Sequence, residues 1–265
     1  MARPCLTLAC LLAHLAATGE SLVHSTTLMV AGLDTEQESM VGMLSSKATL
    51  NAARARSQRA GVLDGDDLGK VFAWLRPNDL VWNYWVNNYL QGKNPPNFDI
   101  LYWNADTTRM SAHLHRDFID VALGNALTEP GKSTMLGTPV DLSTVTVDSY
   151  VTAGIADHLC PWQSCYRSTQ LLGGRSRFIL STSGHIASLV NPPGNPKSTF
   201  QVAGETPADP QEWLESAETV QGSWWPDFMT WLGERSGEEI PAPTALGGGG
   251  LTELADAPGT YVFDK

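Results

Sequence analysis

The sequence is poor in positive charge, in cysteine and in long apolar runs, and each shortage argues against a class of protein. Its 265 residues include 17 lysines and arginines against 28 aspartates and glutamates, for a formal net charge of −11. A chain of this charge does not suit nucleic-acid binding, which depends on a basic surface. Beyond Ala17, no segment approaches the roughly 18 apolar residues that a transmembrane helix needs. We therefore expect a globular protein without a nucleic-acid partner and without a membrane span.

Cysteine is scarce, with four residues at positions 5, 10, 160 and 165. Cys160 and Cys165 have a Cys-x4-Cys spacing, which matches no common zinc or redox motif. We interpret them as free, buried thiols beside the loop that holds Asp157, with a metal site as the less favoured alternative. We expect no metal ion and no other cofactor.

The amino terminus allows two interpretations. Arg3, an apolar run over residues 6–15 and small residues at 16–18 resemble a secretory signal peptide. His14 interrupts that run, and the charged region holds one basic residue. The same stretch therefore also fits an apolar core helix over residues 6–17.

The stretch from 145 to 185 carries the strongest catalytic pattern in the chain. Two runs rich in β-branched residues, 145–153 and 177–180, predict strands, and the turns after them present Asp157 and His185. Loops at the carboxyl ends of neighbouring parallel strands reach a common crevice. Aspartate followed by histidine is the order of the last two members of an α/β-hydrolase triad, in which the carboxylate holds the imidazole as a general base. The pattern alone equally allows a helix cap at Asp157 and a turn residue at His185.

A second pattern is aromatic. Residues 80–90 predict a helix on which Trp82, Trp85 and Tyr89 share one face, and this face suits either core packing or an apolar substrate tunnel. After it, residues 99–103 predict a short buried strand. Residues 212–233 predict one or two amphipathic helices, divided at Pro226.

Long motifs in the chain resemble poly(3-hydroxyalkanoate) synthases. One covers 71–109 and includes Val-Phe-Ala-Trp-Leu-Arg-Pro-Asn-Asp-Leu-Val-Trp-Asn-Tyr-Trp. Others are Ala-Gly-Ile-Ala-Asp-His at 153–158 with Pro-Trp at 161–162, and Ser-Gly-His-Ile at 183–186 with Asn-Pro-Pro-Gly-Asn-Pro-Lys at 191–197. The resemblance extends over about 6–200, with family character in 212–232, and it is to the C-terminal portion of the family.

The resemblance implies an α/β architecture. It predicts the C-terminal part of an α/β-hydrolase parallel sheet, with an inserted and mainly helical cap. The implied divisions are a partial catalytic core at 1–21 and 116–200, a cap or lid at 22–115, a C-terminal helical extension at 201–236 and a flexible tail at 237–265. Residues 6–13 match the helix that follows the nucleophile in the family, which favours the core-helix interpretation of the amino terminus over the signal peptide.

The resemblance also implies an acyltransferase. Such enzymes polymerise (R)-3-hydroxyacyl groups from coenzyme A thioesters and release coenzyme A. Asp157 and His185 match the family's aspartate and histidine, and His158 matches the adjacent histidine. The implied substrate-binding residues are Trp82, Trp85, Tyr89, His158 and Trp162. The implied partners are the (R)-3-hydroxyacyl-coenzyme A, the polyester chain, and either a second copy in a homodimer or a missing N-terminal half. The implied location is the cytoplasm, at polyhydroxyalkanoate granules.

One departure from the family concerns the nucleophile. The family carries a cysteine in a Gly-x-Cys-x-Gly elbow, which would fall at or near Ala2, where this chain has no cysteine, and Cys5 stands where the second glycine belongs. We therefore expect that this chain alone does not polymerise. The alternatives are a non-catalytic, granule-associated or subunit-like homologue, and a secreted α/β-hydrolase, which the lack of a Gly-x-Ser-x-Gly motif disfavours.

Overall fold

The computed structural model describes residues 3–36, 46–75, 77–95, 107–245, 247–256 and 259–260. The chain divides into two compact units. The sheet unit comprises Met1–Leu63 with Met110–Arg235, and the second unit comprises Asp64–Arg109 with Ser236–Lys265. The predicted strand at 99–103 lies outside the described residues.

A mixed five-stranded sheet organises the sheet unit. Its strands are β1 (Ser25–Met29), β2 (Asp148–Gly154), β3 (Ser176–Ser181), β4 (Thr199–Val202) and β5 (Glu218–Gln221), in that spatial order. The first three run parallel, and β3, β4 and β5 pair antiparallel. The two strands predicted at 145–153 and 177–180 are confirmed as β2 and β3. Both are buried almost throughout, as expected for parallel strands that are covered on both faces.

Strand β1 lies within the range that the sequence assigns to the cap. It pairs in parallel with β2, from Ser25 opposite Asp148 to Met29 opposite Thr152. Its burial alternates along the strand, so Thr26 and Leu28 face the interior. Residues 25–29 therefore belong to the sheet, and the cap boundaries themselves stay a prediction.

Two apolar clusters cover the opposite faces of the sheet. Val151 and Phe178 belong to one cluster, whereas their neighbours Tyr150 and Ile179 belong to the other, because successive side chains along a strand point to opposite faces. The first cluster includes helix α1 (Arg3–Thr18), which buries Leu6, Ala9, Cys10, Leu12 and Ala13. The core helix predicted over residues 6–17 is confirmed.

Helical segments surround this sheet. In the sheet unit they are α2 (Lys47–Ala60), α3 (Ala112–Leu123), α4 (Trp162–Leu171), Ala187–Val190, Pro210–Ser216, α5 (Trp225–Gly233) and the 3-10 turn Leu142–Thr144. Ser46 and Ser111 cap α2 and α3 by accepting hydrogen bonds from backbone N–H groups in the first turn. Short antiparallel pairs join Val62–Leu63 to Met110–Ser111 and Thr134–Met135 to Thr138–Pro139.

The predicted division of a helical region at Pro226 is wrong. The helix Pro210–Ser216 ends before strand β5, and a second helix, α5, begins at Trp225. Pro226 lies in the first turn of α5, where its missing N–H removes no helical hydrogen bond. The segment predicted as a helical extension therefore also supplies strands to the sheet.

The second unit contains the aromatic helix. Its described elements are the α-helix Gly65–Leu75 and two π-helical stretches, Asn78–Trp82 and Trp85–Leu90. The helix predicted at 80–90 is thus helical but wound more widely than an α-helix. Among the described residues, no helix is long and apolar enough to cross a bilayer.

Candidate active site

The loops after β2 and β3 are tied together directly at the carboxyl ends of these strands. Ile155 N–H donates to the carbonyl oxygen of Ser181, and Ala156 N–H donates to that of Ser183, at 2.9 and 3.0 Å. Gly154, the last residue of β2, permits this approach, because a Cβ there would lie 2.8 Å from the Ser183 oxygen. The two loops that carry Asp157 and His185 therefore lie against each other.

The Asp157 carboxylate is fully enclosed and each of its oxygens accepts a hydrogen bond. Oδ1 accepts from the backbone N–H groups of Leu159 and Cys160, at 2.8 and 3.0 Å. Oδ2 lies 2.6 Å from Nδ1 of His185. The loop that follows Asp157 thus fixes the carboxylate by one oxygen and leaves the other for the imidazole.

His185 is only 4% exposed, and its two ring nitrogens have different surroundings. Opposite a carboxylate oxygen, which can only accept, Nδ1 carries the ring proton and donates a hydrogen bond to Asp157. The free lone pair of the neutral ring is then on Nε2. Nε2 is buried and has no hydrogen-bond partner among the described residues. An orphaned, buried ring nitrogen held in this tautomer is the arrangement of a general base that awaits a proton donor.

All four cysteines are free, and the prediction of free, buried thiols is confirmed for Cys165, whereas Cys160 is free but only half-buried. Burial raises the pKa of Cys5, Cys10 and Cys165 above the ordinary thiol value. Burial, and then the charge of Asp157, raise the pKa of Cys160 to about 11. Since the thiolate is the reactive form, these environments keep each thiol unreactive near neutral pH.

One of these thiols lies at the carboxylate–imidazole pair. Ligand atoms of Asp157, Cys160 and His185 lie within 4.8 Å of one another, and this is the one such group of three or more metal-ligating side chains among the described residues. Cys160 was predicted to lie beside the Asp157 loop as a free thiol, with a metal site as the less favoured alternative and with no catalytic part. The Cys-x4-Cys spacing does not predict that Cys160 lies near His185, because this cluster depends on how the loop folds.

The predicted substrate-binding residues have several different environments. Trp162 is buried in the first turn of α4, where its ring lies 6.5 Å from that of Phe178 and belongs to the core. His158 is half-buried, next to Asp157. Trp82, Trp85 and Tyr89 are exposed in the second unit, and the last two stack with centroids 4.5 Å apart. Their roles in substrate binding, and the catalytic roles of Asp157 and His185, stay predictions.

Sequence reasoning missed a polar junction at the carboxyl end of β1. The Asp34 side chain accepts hydrogen bonds from Asn125 Nδ2 and from the backbone N–H of Glu36, both at 2.9 Å, and its other oxygen pairs with Arg167 at 3.3 Å. Ser164 also donates its hydroxyl to the Asp34 carbonyl oxygen. The one signal in the sequence was an acidic residue at the end of the short segment that follows β1. The junction fixes the loop after β1 against helix α4.

The sequence profile of a family described as alpha/beta hydrolase fold matches residues 7–192. The chain is 50% identical over 260 residues to poly(3-hydroxyalkanoate) polymerase 1 of Ectopseudomonas oleovorans, and the match covers 98% of this chain and 46% of the relative. It is 38% identical to the poly(3-hydroxyalkanoate) polymerase subunit PhaC of Cupriavidus necator, over 96% of this chain and 44% of that relative. These matches confirm the resemblance read from the sequence motifs. The chain spans slightly less than half the length of the relatives it matches.

Proposed function

Because this chain belongs to the alpha/beta hydrolase fold family, we propose that its Asp157–His185 pair serves an acyltransferase reaction. The reaction polymerises (R)-3-hydroxyacyl groups from coenzyme A thioesters into poly(3-hydroxyalkanoate) and releases coenzyme A. The observation that carries the proposal is the buried 2.6 Å contact between Asp157 and His185, with Nε2 left without a partner among the described residues. The similar proteins are named as poly(3-hydroxyalkanoate) polymerases, and this supplies the substrate class.

The pair's part in this chemistry is to move protons at Nε2 of His185. Nε2 takes the proton of a nucleophilic thiol, which then attacks the thioester carbonyl, and the imidazolium returns the proton to the departing coenzyme A thiolate. In the elongation step, Nε2 takes the proton of a 3-hydroxyl group as that oxygen attacks the thioester carbonyl of the acyl-enzyme, and the imidazolium returns the proton to the enzyme thiolate that departs. Asp157 keeps the ring oriented and stabilises the imidazolium in both steps.

The nucleophile is not one of this chain's own four cysteines. The chain contains no Gly-x-Cys-x-Gly motif, and the surroundings of its own thiols raise their pKa. Strand β1 ends the sheet, with β2 as its one neighbour among the described strands, and the buried Thr26 hydroxyl on it has no described partner. We place the elbow strand along this open edge of β1. The portion of the relatives that this chain does not match supplies it in our proposal, and the assembled enzyme acts at polyester granules, as one copy or as a homodimer.

A chimera tests the proposal. In poly(3-hydroxyalkanoate) polymerase 1 of Ectopseudomonas oleovorans, the matching 260-residue portion is replaced by this chain. We expect the chimera to release coenzyme A from (R)-3-hydroxyacyl-coenzyme A and to form polymer. His185→Gln should abolish both, whereas His113→Gln, at an exposed histidine of α3, should leave both intact.

The outcomes separate the proposal from its main rival. A folded chimera that releases no coenzyme A would support the non-catalytic, subunit-like homologue instead. Release that survives His185→Gln would refute the role of the imidazole. The chain expressed alone should release none, because it holds the base without the nucleophile.

A further inference from the structure

The thiol beside the carboxylate–imidazole pair gives this site a second chemistry. Asp157, Cys160 and His185 present one carboxylate, one thiol and one imidazole, with ligand atoms within 4.8 Å of one another. We propose that these three side chains form a binding site for a thiophilic divalent transition metal such as Zn²⁺, and that the bound metal switches the pair off as a general base. The second half rests on the proposed function, whereas the metal site itself does not.

The ligand set and its spacing suit zinc. Zn²⁺ binds cysteine sulfur at about 2.3 Å and histidine nitrogen or carboxylate oxygen at about 2.0–2.2 Å, with tetrahedral geometry. From these lengths, ligand atoms around one ion lie roughly 3.3–3.8 Å apart. The Asp157–His185 contact of 2.6 Å would open, and the distances from the Cys160 sulfur to the other two ligand atoms, now within 4.8 Å, would close by at most about 1 Å. A water molecule completes the fourth position.

The loop already holds the carboxylate as metal sites hold theirs. Oδ1 of Asp157 accepts the N–H groups of Leu159 and Cys160, which leaves Oδ2 directed at His185. Hydrogen bonds of this kind to a ligating carboxylate orient it and raise metal affinity. The attraction between a cation and the Asp157 carboxylate is also stronger here than at the surface, since Asp157 is enclosed and His185 is nearly so.

Binding through either ring nitrogen removes the base. If the metal takes Nε2, it occupies the lone pair that accepts the proton. If it takes Nδ1, the ring proton moves to Nε2, which then holds no lone pair. In both cases the Cys160 thiol loses its proton to solvent as the sulfur–metal bond forms, and no electron transfer is needed.

The test uses the purified chain with Co²⁺ as a spectroscopic probe and Zn²⁺ as competitor. Since the chain alone has no elbow cysteine, a sulfur-to-cobalt charge-transfer band reports on its own four thiols. We expect the band to saturate at one Co²⁺ per chain and to disappear when Zn²⁺ is added. Cys160→Ser should lose it, and His185→Gln should weaken binding by at least the roughly 10- to 100-fold that second-shell changes cost. Cys10→Ser, on helix α1, is the matched control and should keep the band.

Several results would overturn the proposal. They are the absence of a band at saturating Co²⁺, a band that survives Cys160→Ser, and affinity unchanged by His185→Gln. Circular dichroism and thermal melting check that each variant folds, and Cys160→Ala replaces the serine variant if that one does not. The cobalt band does not depend on catalytic turnover. Failure of the metal site can therefore be distinguished from failure of the acyltransferase proposal.

Discussion

Replacing Asp157 by asparagine should invert the tautomer of His185 and remove its base. The backbone N–H groups of Leu159 and Cys160 both donate hydrogen bonds to Oδ1 of Asp157. They therefore require an acceptor atom at that position. The amide oxygen of the variant must therefore take that position, which leaves the amide NH₂ facing Nδ1 of His185, 2.6 Å away in the wild type. Nδ1 then accepts rather than donates, and the ring proton lies on Nε2. The same inversion in a serine-protease triad lowers kcat by roughly 10⁴-fold, and we expect a loss of that size here.

The assay is coenzyme A release by the chimera, with kcat and KM measured separately. The loss should fall on kcat, because the amide keeps both backbone hydrogen bonds and hence the loop. Asp117→Asn, at an exposed aspartate of α3, controls for the loss of one negative charge. An Asp157→Asn chimera that retains more than about a tenth of the wild-type kcat would refute the reasoning, since a wrong tautomer cannot act as base.

Three further predictions concern packing and reactivity. Trp213→Ala removes a fully buried ring of the first core cluster and should lower the free energy of unfolding by about 3–5 kcal/mol in urea denaturation. Trp82→Ala, at an exposed ring, is the control and should change this free energy by about 0.5 kcal/mol or less. Gly154→Ala places a methyl group 2.8 Å from a carbonyl oxygen and should lower the free energy of unfolding by about 1–3 kcal/mol in the same measurement. Gly204→Ala, whose methyl group would meet nothing within 4 Å, is the control and should not lower it. Equal effects of the two substitutions would contradict the close approach of the two loops. The rate at which iodoacetamide alkylates Cys160, followed by mass spectrometry, should rise about tenfold per pH unit, because the thiolate is the nucleophile. The rise should continue until the pH nears the Cys160 pKa of about 11. A plateau near pH 8 would contradict the raised pKa.

The residues of the candidate site were largely predictable, and their surroundings were not. Asp157 and His185 follow strands that the β-branched runs identify, and parallel strands bring their carboxyl ends to one edge of a sheet. The α/β-hydrolase fold class predicted from the motifs is confirmed. The sequence predicted Cys160 beside the Asp157 loop but not its approach to the His185 imidazole, because that approach depends on how the loop bends to present two N–H groups to the carboxylate.

The less predictable parts of the fold are those in which local preference yields to packing. Strand β5 interrupts a stretch with helical composition, because its pairing with β4 at the edge of the sheet overrides the local helical preference. The π-helical winding around Trp85 has no counterpart in the residue pattern. Trp162, predicted to bind substrate, lies in the core, where tryptophan contributes a large buried area.

The sequence by itself determined the two central strands, β2 and β3, and the polar residue that follows each of them, because residue periodicity and turn residues act over a few positions. Only the tertiary structure decided that Asp157 and His185 touch, that Nε2 is buried without a described partner, and that Cys160 lies beside them. Contacts between residues about 28 positions apart depend on how two loops approach across the end of the sheet. Here that approach depends on a glycine at 154, whose missing side chain leaves room for the second loop.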